Sequence, residues 1–308
     1  MRRTVNEQLE FRGTGLHGGQ AAILQIVPAP AGTGIVFIRS DLPVDEARIP
    51  ARYDLVNDTR LCTKLTNAHG ASVSTIEHLM AALAGTGVHD VVIRVDGPEV
   101  PILDGSSLPF VRDILRVGLK DVGIPLDCIR VLKPIEVESN GRVARLVPAK
   151  RTEISFTIDF DDPAIGRQSL ALALGEDAFV AELAECRTFC LLSEVEALRQ
   201  AGLARGGGLE NAIVVDRGRV LNPEGLRRAD EFVRHKILDA VGDLALAGAP
   251  IIGRYEGERS GHEMTNLLLR ALFAAPDSWE WAEAELEVVP VRQPRPLFAE
   301  EKAAALAS

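Results

Sequence analysis

His235, Asp239 and Asp243 recur every fourth residue in Arg234-His235-Lys236-Ile237-Leu238-Asp239-Ala240-Val241-Gly242-Asp243. On a helix this spacing puts all three on one face, about one turn apart. An imidazole and a carboxylate so placed can converge on one metal ion, although the same spacing also serves an ordinary solvated face. Ile237, Leu238, Val241 and Leu244 supply an apolar side that would bury the helix. Far away in the chain, Glu77-His78 opens a second apolar segment. There the ring can bind zinc while the neighbouring carboxylate takes a proton. Together His78, His235 and Asp239 make the three-ligand set of an open catalytic zinc site. Zinc lowers the pKa of bound water to ~7, which makes attack on an amide feasible at neutral pH.

Such an attack also needs a base, an oxyanion stabiliser and a proton for the leaving amine. Glu77 is the candidate base. His262, after Ser260-Gly261, is the candidate acid, with Asp243 as the carboxylate that would keep it cationic. Thr188, in Arg187-Thr188-Phe189, can donate to an oxyanion.

The segments around these residues predict what positions them. Residues 74–85 read as a helix capped by Ser74 or Thr75, with Glu77 three after Ser74 as in a capping box, and Gly85 and Gly87 at its end. A longer helix is predicted over about 227–247, closed by Gly248, with others over 108–118, 176–185 and 261–274. Strands are predicted at 21–27, 34–38, 90–95, 135–138, 142–147, 153–160 and 250–254. Residues 186–215 read as an insertion of helix, Gly-rich loop and strand. Each half runs through strands, a helix ending in Ala-Leu-Ala-Gly (82–85 and 245–248), an apolar strand and another helix, which points to an internal duplication. The expected fold class is α+β, in two similar domains. Residues 1–122 would form the first and carry Glu77-His78. Residues 130–300 would form the second and carry His235, Asp239 and His262. The tail after Pro296 is expected to fray.

Composition excludes several functions. A net charge of −10 argues against nucleic-acid or anionic-membrane partners, so an anionic small substrate would have to meet a few local Arg or Lys residues. Aromatics make up only 5%, so the core should be aliphatic. The scattered Cys62, Cys128, Cys186 and Cys190 read as reduced thiols. With neither a signal-like apolar start nor an apolar run of membrane-spanning length, a cytoplasmic protein is expected; it is also expected to be a monomer.

The blocks Gly13-Thr14-Gly15-Leu16-His17, Ser74-Thr75-Ile76-Glu77-His78-Leu79, Asp96-Gly97-Pro98-Glu99-Val100-Pro101-Ile102-Leu103-Asp104-Gly105-Ser106, Arg187-Thr188-Phe189, Phe232 to Leu244 and Arg259-Ser260-Gly261-His262 resemble the UDP-3-O-acyl-N-acetylglucosamine deacetylases. They appear in order over nearly the whole chain. The resemblance implies a cytosolic, Zn2+-dependent amidase of early lipid A synthesis, acting on UDP-3-O-acyl-N-acetylglucosamine and releasing acetate. It implies two similar domains, each a β-sheet with a helix pair, the helices sandwiched between the sheets. Carried over by position, His78, His235 and Asp239 are the zinc ligands, Glu77 the base, and His262, oriented by Asp243, the acid. Thr188 then steadies the oxyanion, Phe189 meets the sugar, Lys236 and Arg259 meet the phosphates, and Asp159-Phe160 takes the uracil. Residues 190–215 become an acyl passage, lined by Leu191, Leu192, Leu203, Leu209 and the strand Ala212-Ile213-Val214-Val215.

This chain departs from the family pattern in places. Cys186 and Cys190 flank Arg-Thr-Phe where small residues are usual. Arg259 stands where Lys is frequent, and Glu263-Met264-Thr265-Asn266-Leu267 replaces a run that ends in a basic residue. His17 is open to a structural or a functional reading, whereas His69 and His89 read as surface residues. Two rivals remain to be separated by experiment. One is a zinc peptidase, which the lack of a His-Glu-x-x-His motif disfavours. The other is a nucleotide-sugar sensor without activity, which would be expected to lose Glu77 or a ligand.

Overall fold

The computed structural model describes residues 1–283, so the tail after Pro296 and the far end of the second predicted domain lie outside the described residues. Strand alternation builds two five-stranded sheets. The first holds β1 (Leu9–Thr14), β2 (Ala21–Pro28), β3 (Ile35–Arg39), β4 (Arg48–Pro50) and β5 (Val91–Val95). The second holds β6 (Ile135–Ser139), β7 (Arg142–Val147), β8 (Glu153–Asp159), β9 (Arg167–Ala173) and β10 (Arg254–Glu258). In β2, Ala22, Leu24 and Ile26 point inward, as Ile154, Phe156 and Ile158 do in β8.

The two sheets share one topology. The spatial orders are β1-β2-β5-β3-β4 and β6-β7-β10-β8-β9. In the first sheet β5 lies antiparallel to β2 and parallel to β3, and β10 does the same with β7 and β8. Six α-helices accompany them among the described residues: α1 (Glu77–Gly85), α2 (Leu108–Val117), α3 (Glu176–Glu182), α4 (Leu192–Gln200), α5 (Glu231–Leu244) and α6 (His262–Ala274). The pair α1 and α2 brackets β5 just as α5 and α6 bracket β10. The fold is thus mixed α+β, with the helix pairs packed between the sheets. α1 lies against α5, and α6 packs on α5, β6 and β7. No helix among the described residues is long and apolar enough to cross a membrane.

α1 is buried on almost every side, so its neighbour must come close. Gly242 of α5 permits this, because it presents no side chain to the α1 backbone.

The capping box expected at 74–77 does not form. The helix begins at Glu77, and Ile76 takes the cap position with no side-chain cap bond. Ser74 instead donates to the Pro98 carbonyl, while Thr75 donates to Glu99 and adopts a φ of 58°, unusual for a β-branched residue. Glu77 is thereby released from capping and left available to the site. α5 is shorter than its apolar pattern suggested. Arg227 and Arg228 are spent before it begins, on Asp104 and Glu185.

Candidate active site

Two helices from different halves bring the polar cluster together. His78 sits in the first turn of α1, and His235 and Asp239 lie one turn apart on α5. The two histidines and the aspartate each offer a ligand atom, all within 4.8 Å of one another. Asp239 Oδ1 lies 3.2 Å from His235 Nε2 and 3.6 Å from His78 Nε2, yet it is buried and accepts no hydrogen bond. A buried, unsatisfied carboxylate oxygen is costly and calls for an explanation. Burial alone would raise the Asp239 carboxyl, but the neighbouring His235 ring and Lys236 ammonium hold it well below the usual carboxylate range.

The ring of His235 is aimed by its far nitrogen. Nδ1 donates to the Cys186 carbonyl at 3.0 Å, so Nε2 keeps its lone pair toward Asp239 and His78. That carbonyl is itself fixed by a buried ion pair. Arg187, 2% exposed, donates to Glu231, 0% exposed, through both its backbone N–H and Nε at 3.0 Å. Glu231 opens α5, where a carboxylate also suits the helix N-terminus. Pattern reading missed Glu231, because a Glu at a helix start resembles any other; its 44-residue reach to Arg187 is invisible in sequence.

Two residues named for proton work flank the cluster. His262, the first residue of α6, donates from Nδ1 to Asp243 Oδ2 at 2.8 Å and turns Nε2 to within 3.9 Å of Glu77 Oε1. Burial opposes its charge, but Asp243 and then Glu77 outweigh it and push the imidazole up to about 9. Burial raises the Glu77 carboxyl above its ordinary value, against the pull of His262 and His78. Ser260 is buried and hydrogen-bonded to Tyr255, so His262 enters from an anchored segment. Thr63, absent from the sequence-based candidates, touches both carboxylates: its N–H donates to Glu77 and its hydroxyl to Asp243.

A cavity of about 1150 Å³ opens over this cluster. Glu77, His78, His235, Lys236, Asp239 and His262 reach its wall, as do Phe160, Thr188 and Phe189. Thr188 is held by its backbone, which donates to the Gly105 carbonyl and accepts from Ile213. Phe189 packs edge-on against Phe160 and Phe232. Lys236 Nζ lies 2.7 Å from Asp239 Oδ2. Asp159 and Arg259 are not among the lining residues; they bond to each other on the exposed side of β8.

Around residues 191–214 the wall is mainly apolar, although Glu194 and Arg199 reach it as well. Leu191, Leu192, Leu209, Ala212 and Val214 line it, but Leu203, Ile213 and Val215 do not. For Ile213 and Val215 the reason is the two-residue period of the strand Ile213–Asp216, which turns both into the core. Leu16 and His17 also line the cavity, and both ring nitrogens of His17 are buried without partners. His89, expected at the surface, is half-buried and accepts the Arg3 N–H on Nδ1.

The donor set fits a metal ion. Two imidazole nitrogens and one orphaned carboxylate oxygen converge at a cavity wall, the ligand pattern of an open zinc site. With a carboxylate and a cationic imidazole beside it, the arrangement can hold a metal, accept one proton and supply another.

The family profile for UDP-3-O-acyl N-acetylglycosamine deacetylase matches residues 2–274. A protein of Phenylobacterium zucineum named UDP-3-O-acyl-N-acetylglucosamine deacetylase is 52% identical over 276 residues, 90% of this chain and 94% of its own length. One of the same name from Shewanella frigidimarina is 46% identical over 292 residues, covering 94% and 95% of the two chains. Another, from Shewanella violacea, is 46% identical over 287 residues, 92% and 94%. This chain belongs to the UDP-3-O-acyl N-acetylglycosamine deacetylase family.

Proposed function

We propose that this chain is a zinc-dependent deacetylase that hydrolyses the N-acetyl group of UDP-3-O-acyl-N-acetylglucosamine, an early and committed step toward lipid A. The observation that carries the proposal is the buried Asp239 oxygen, left without a hydrogen bond where His78 and His235 converge on it.

His78, His235 and Asp239 would hold the ion. When bound, zinc supplies a Lewis acid that polarises the amide carbonyl and acidifies water. Glu77 takes the proton of the attacking water on Oε1, the oxygen that faces His262. His262, kept cationic by Asp243, gives its Nε2 proton to the departing sugar amine. Thr188 donates to the carbonyl oxygen as charge develops there.

Phe189 would pack on the sugar and Phe160 on the uracil, with Asp159 hydrogen-bonding to the base. Lys236 would reach a phosphate while staying close to Asp239. Arg259 would share its charge between Asp159 and the diphosphate. The apolar end of the cavity suits the acyl chain, which a polar wall would reject. The proposal extends to a cytoplasmic monomer divided near residues 122–130.

Acetate release from the acylated UDP-sugar, followed with one equivalent of zinc and then after chelation, tests this reading. Activity abolished by chelator and restored by zinc is expected. Binding of the nucleotide sugar without acetate release would instead identify a sensor, and peptide hydrolysis a protease.

A further inference from the structure

Thr63 is 1% exposed and ends the loop between the short strands Val56–Asp58 and Lys64–Thr66. Its N–H donates to Glu77 Oε2 at 3.0 Å, and its hydroxyl donates to Asp243 Oδ1 at 2.6 Å. The two carboxylates belong to α1 and α5, in different halves of the molecule. In each, the oxygen that Thr63 does not hold is the one turned to His262. Glu77 Oε1 is 3.9 Å from its Nε2, and Asp243 Oδ2 is 2.8 Å from its Nδ1.

The terminal torsion of a carboxylate is broad and roughly two-fold. A donor fixed on one oxygen sets the plane of the group and so the direction of the other oxygen. Here one residue sets both planes at once. We propose that Thr63 is a positioning residue, locking Glu77 and Asp243 into the mutual geometry with His262 that deacetylation requires. This rests on the reading of Glu77 and His262 given above. The requirement is for a hydroxyl, because valine has the same shape but would leave Asp243 Oδ1 buried without a donor. Thr59, Arg60 and Leu61 of the same loop line the cavity, so the segment that meets a ligand is anchored on these two carboxylates.

The test compares Thr63→Val and Thr63→Ser in the zinc-loaded enzyme, acting on the acylated UDP-sugar. Losing one hydrogen bond to a charged group should lower kcat about 10- to 100-fold, with KM and zinc content unchanged. Thr63→Ser, which keeps the hydroxyl, should recover to within about 3-fold of the parent. In an Asp243→Asn background, Thr63→Val should add little further loss, as expected of residues acting in series. A parent-like kcat in Thr63→Val would overturn the proposal. So would a loss confined to KM, failure of serine to rescue, or effects that multiply with Asp243→Asn. Thr63→Ala carries the same comparison if the valine variant does not fold. An inactive parent enzyme would instead overturn the deacetylase reading, so the two failures are distinguishable.

Discussion

Gly242 of α5 lies directly against the main chain of Glu77 in α1. A Cβ built on it would stand 2.1 Å from the Glu77 carbonyl oxygen and 3.1 Å from the Ala81 nitrogen. Both neighbours are backbone, so neither can swing aside, and any side chain must push the helices apart. His78 follows Glu77 on one helix and Asp239 precedes Gly242 on the other. Gly242→Ala should therefore destabilise the fold by about 1–3 kcal/mol and loosen metal retention as well. Thermal unfolding and zinc content after dialysis check this. A parent-like result in both would mean that the contact is not rigid.

Asp239→Ala removes one of three ligand atoms, and an open site has no spare protein ligand to replace it. Zinc should be lost on dialysis under conditions where the parent keeps one equivalent. Full occupancy in the variant, by metal analysis, would exclude Asp239 as a ligand.

Glu77→Ala and His262→Ala should each reduce the rate roughly 10²–10⁴-fold while zinc stays bound. The rate needs Glu77 ionised and His262 protonated. It should therefore climb as pH rises past a Glu77 value above the ordinary one, and fall as pH passes about 9. The two groups are coupled, so the apparent constants describe the pair. Glu77→Ala that keeps its zinc and loses less than about tenfold in rate would remove Glu77 as the base.

His89 links stability to pH in the acid range. Burial, helped by Arg3 and Arg2, lowers its pKa from 6.5 to about 4. The unfolded chain thus takes up the proton first. The neutral ring's contribution is present above pH 6.5 and is lost as pH falls toward 4. In His89→Asn, which keeps an acceptor for Arg3, urea midpoints should drop less between pH 7 and pH 5 than in the parent. Equal drops would show that His89 does not titrate with unfolding.

The apolar wall predicts chain-length dependence. Shortening the acyl group by several methylenes removes ~0.8 kcal/mol of burial for each, so kcat/KM should fall steeply. Equal efficiency on acylated and unacylated UDP-sugar would leave the wall without that role.

The shared face of α5 was legible because helical spacing is written in sequence, whereas His78 and His262 were placed by the family resemblance. His235, Asp239 and Asp243 needed only a four-residue period to share a face. How closely α1 approaches α5 was not legible, since it depends on a glycine whose purpose shows only beside its neighbour's backbone. Ser74 and Thr75 misled for a related reason. Their hydroxyls are good caps, but Pro98 and Glu99, distant in sequence, compete for them and win. Thr63 and Glu231 escaped notice because hydroxyls and carboxylates are common, and what singles them out is a partner far along the chain. The strand Ile213–Asp216 was found, yet which of its residues would face the cavity depended on a register that sequence left open.

α1 and α5 occupy matching places in two matching halves, and they face each other at the site. Were these halves identical chains related by a two-fold axis, every substitution would appear on both sides of the seam. A base on one side would be mirrored by a base on the other, and Gly242 by a second glycine. Joining the halves in one chain lifts that restriction. Glu77 can stand on one helix while His235, Asp239 and Asp243 stand on the other, each present once. The backbone keeps its repeated topology, and covalent connection lets the two sides carry different chemistry.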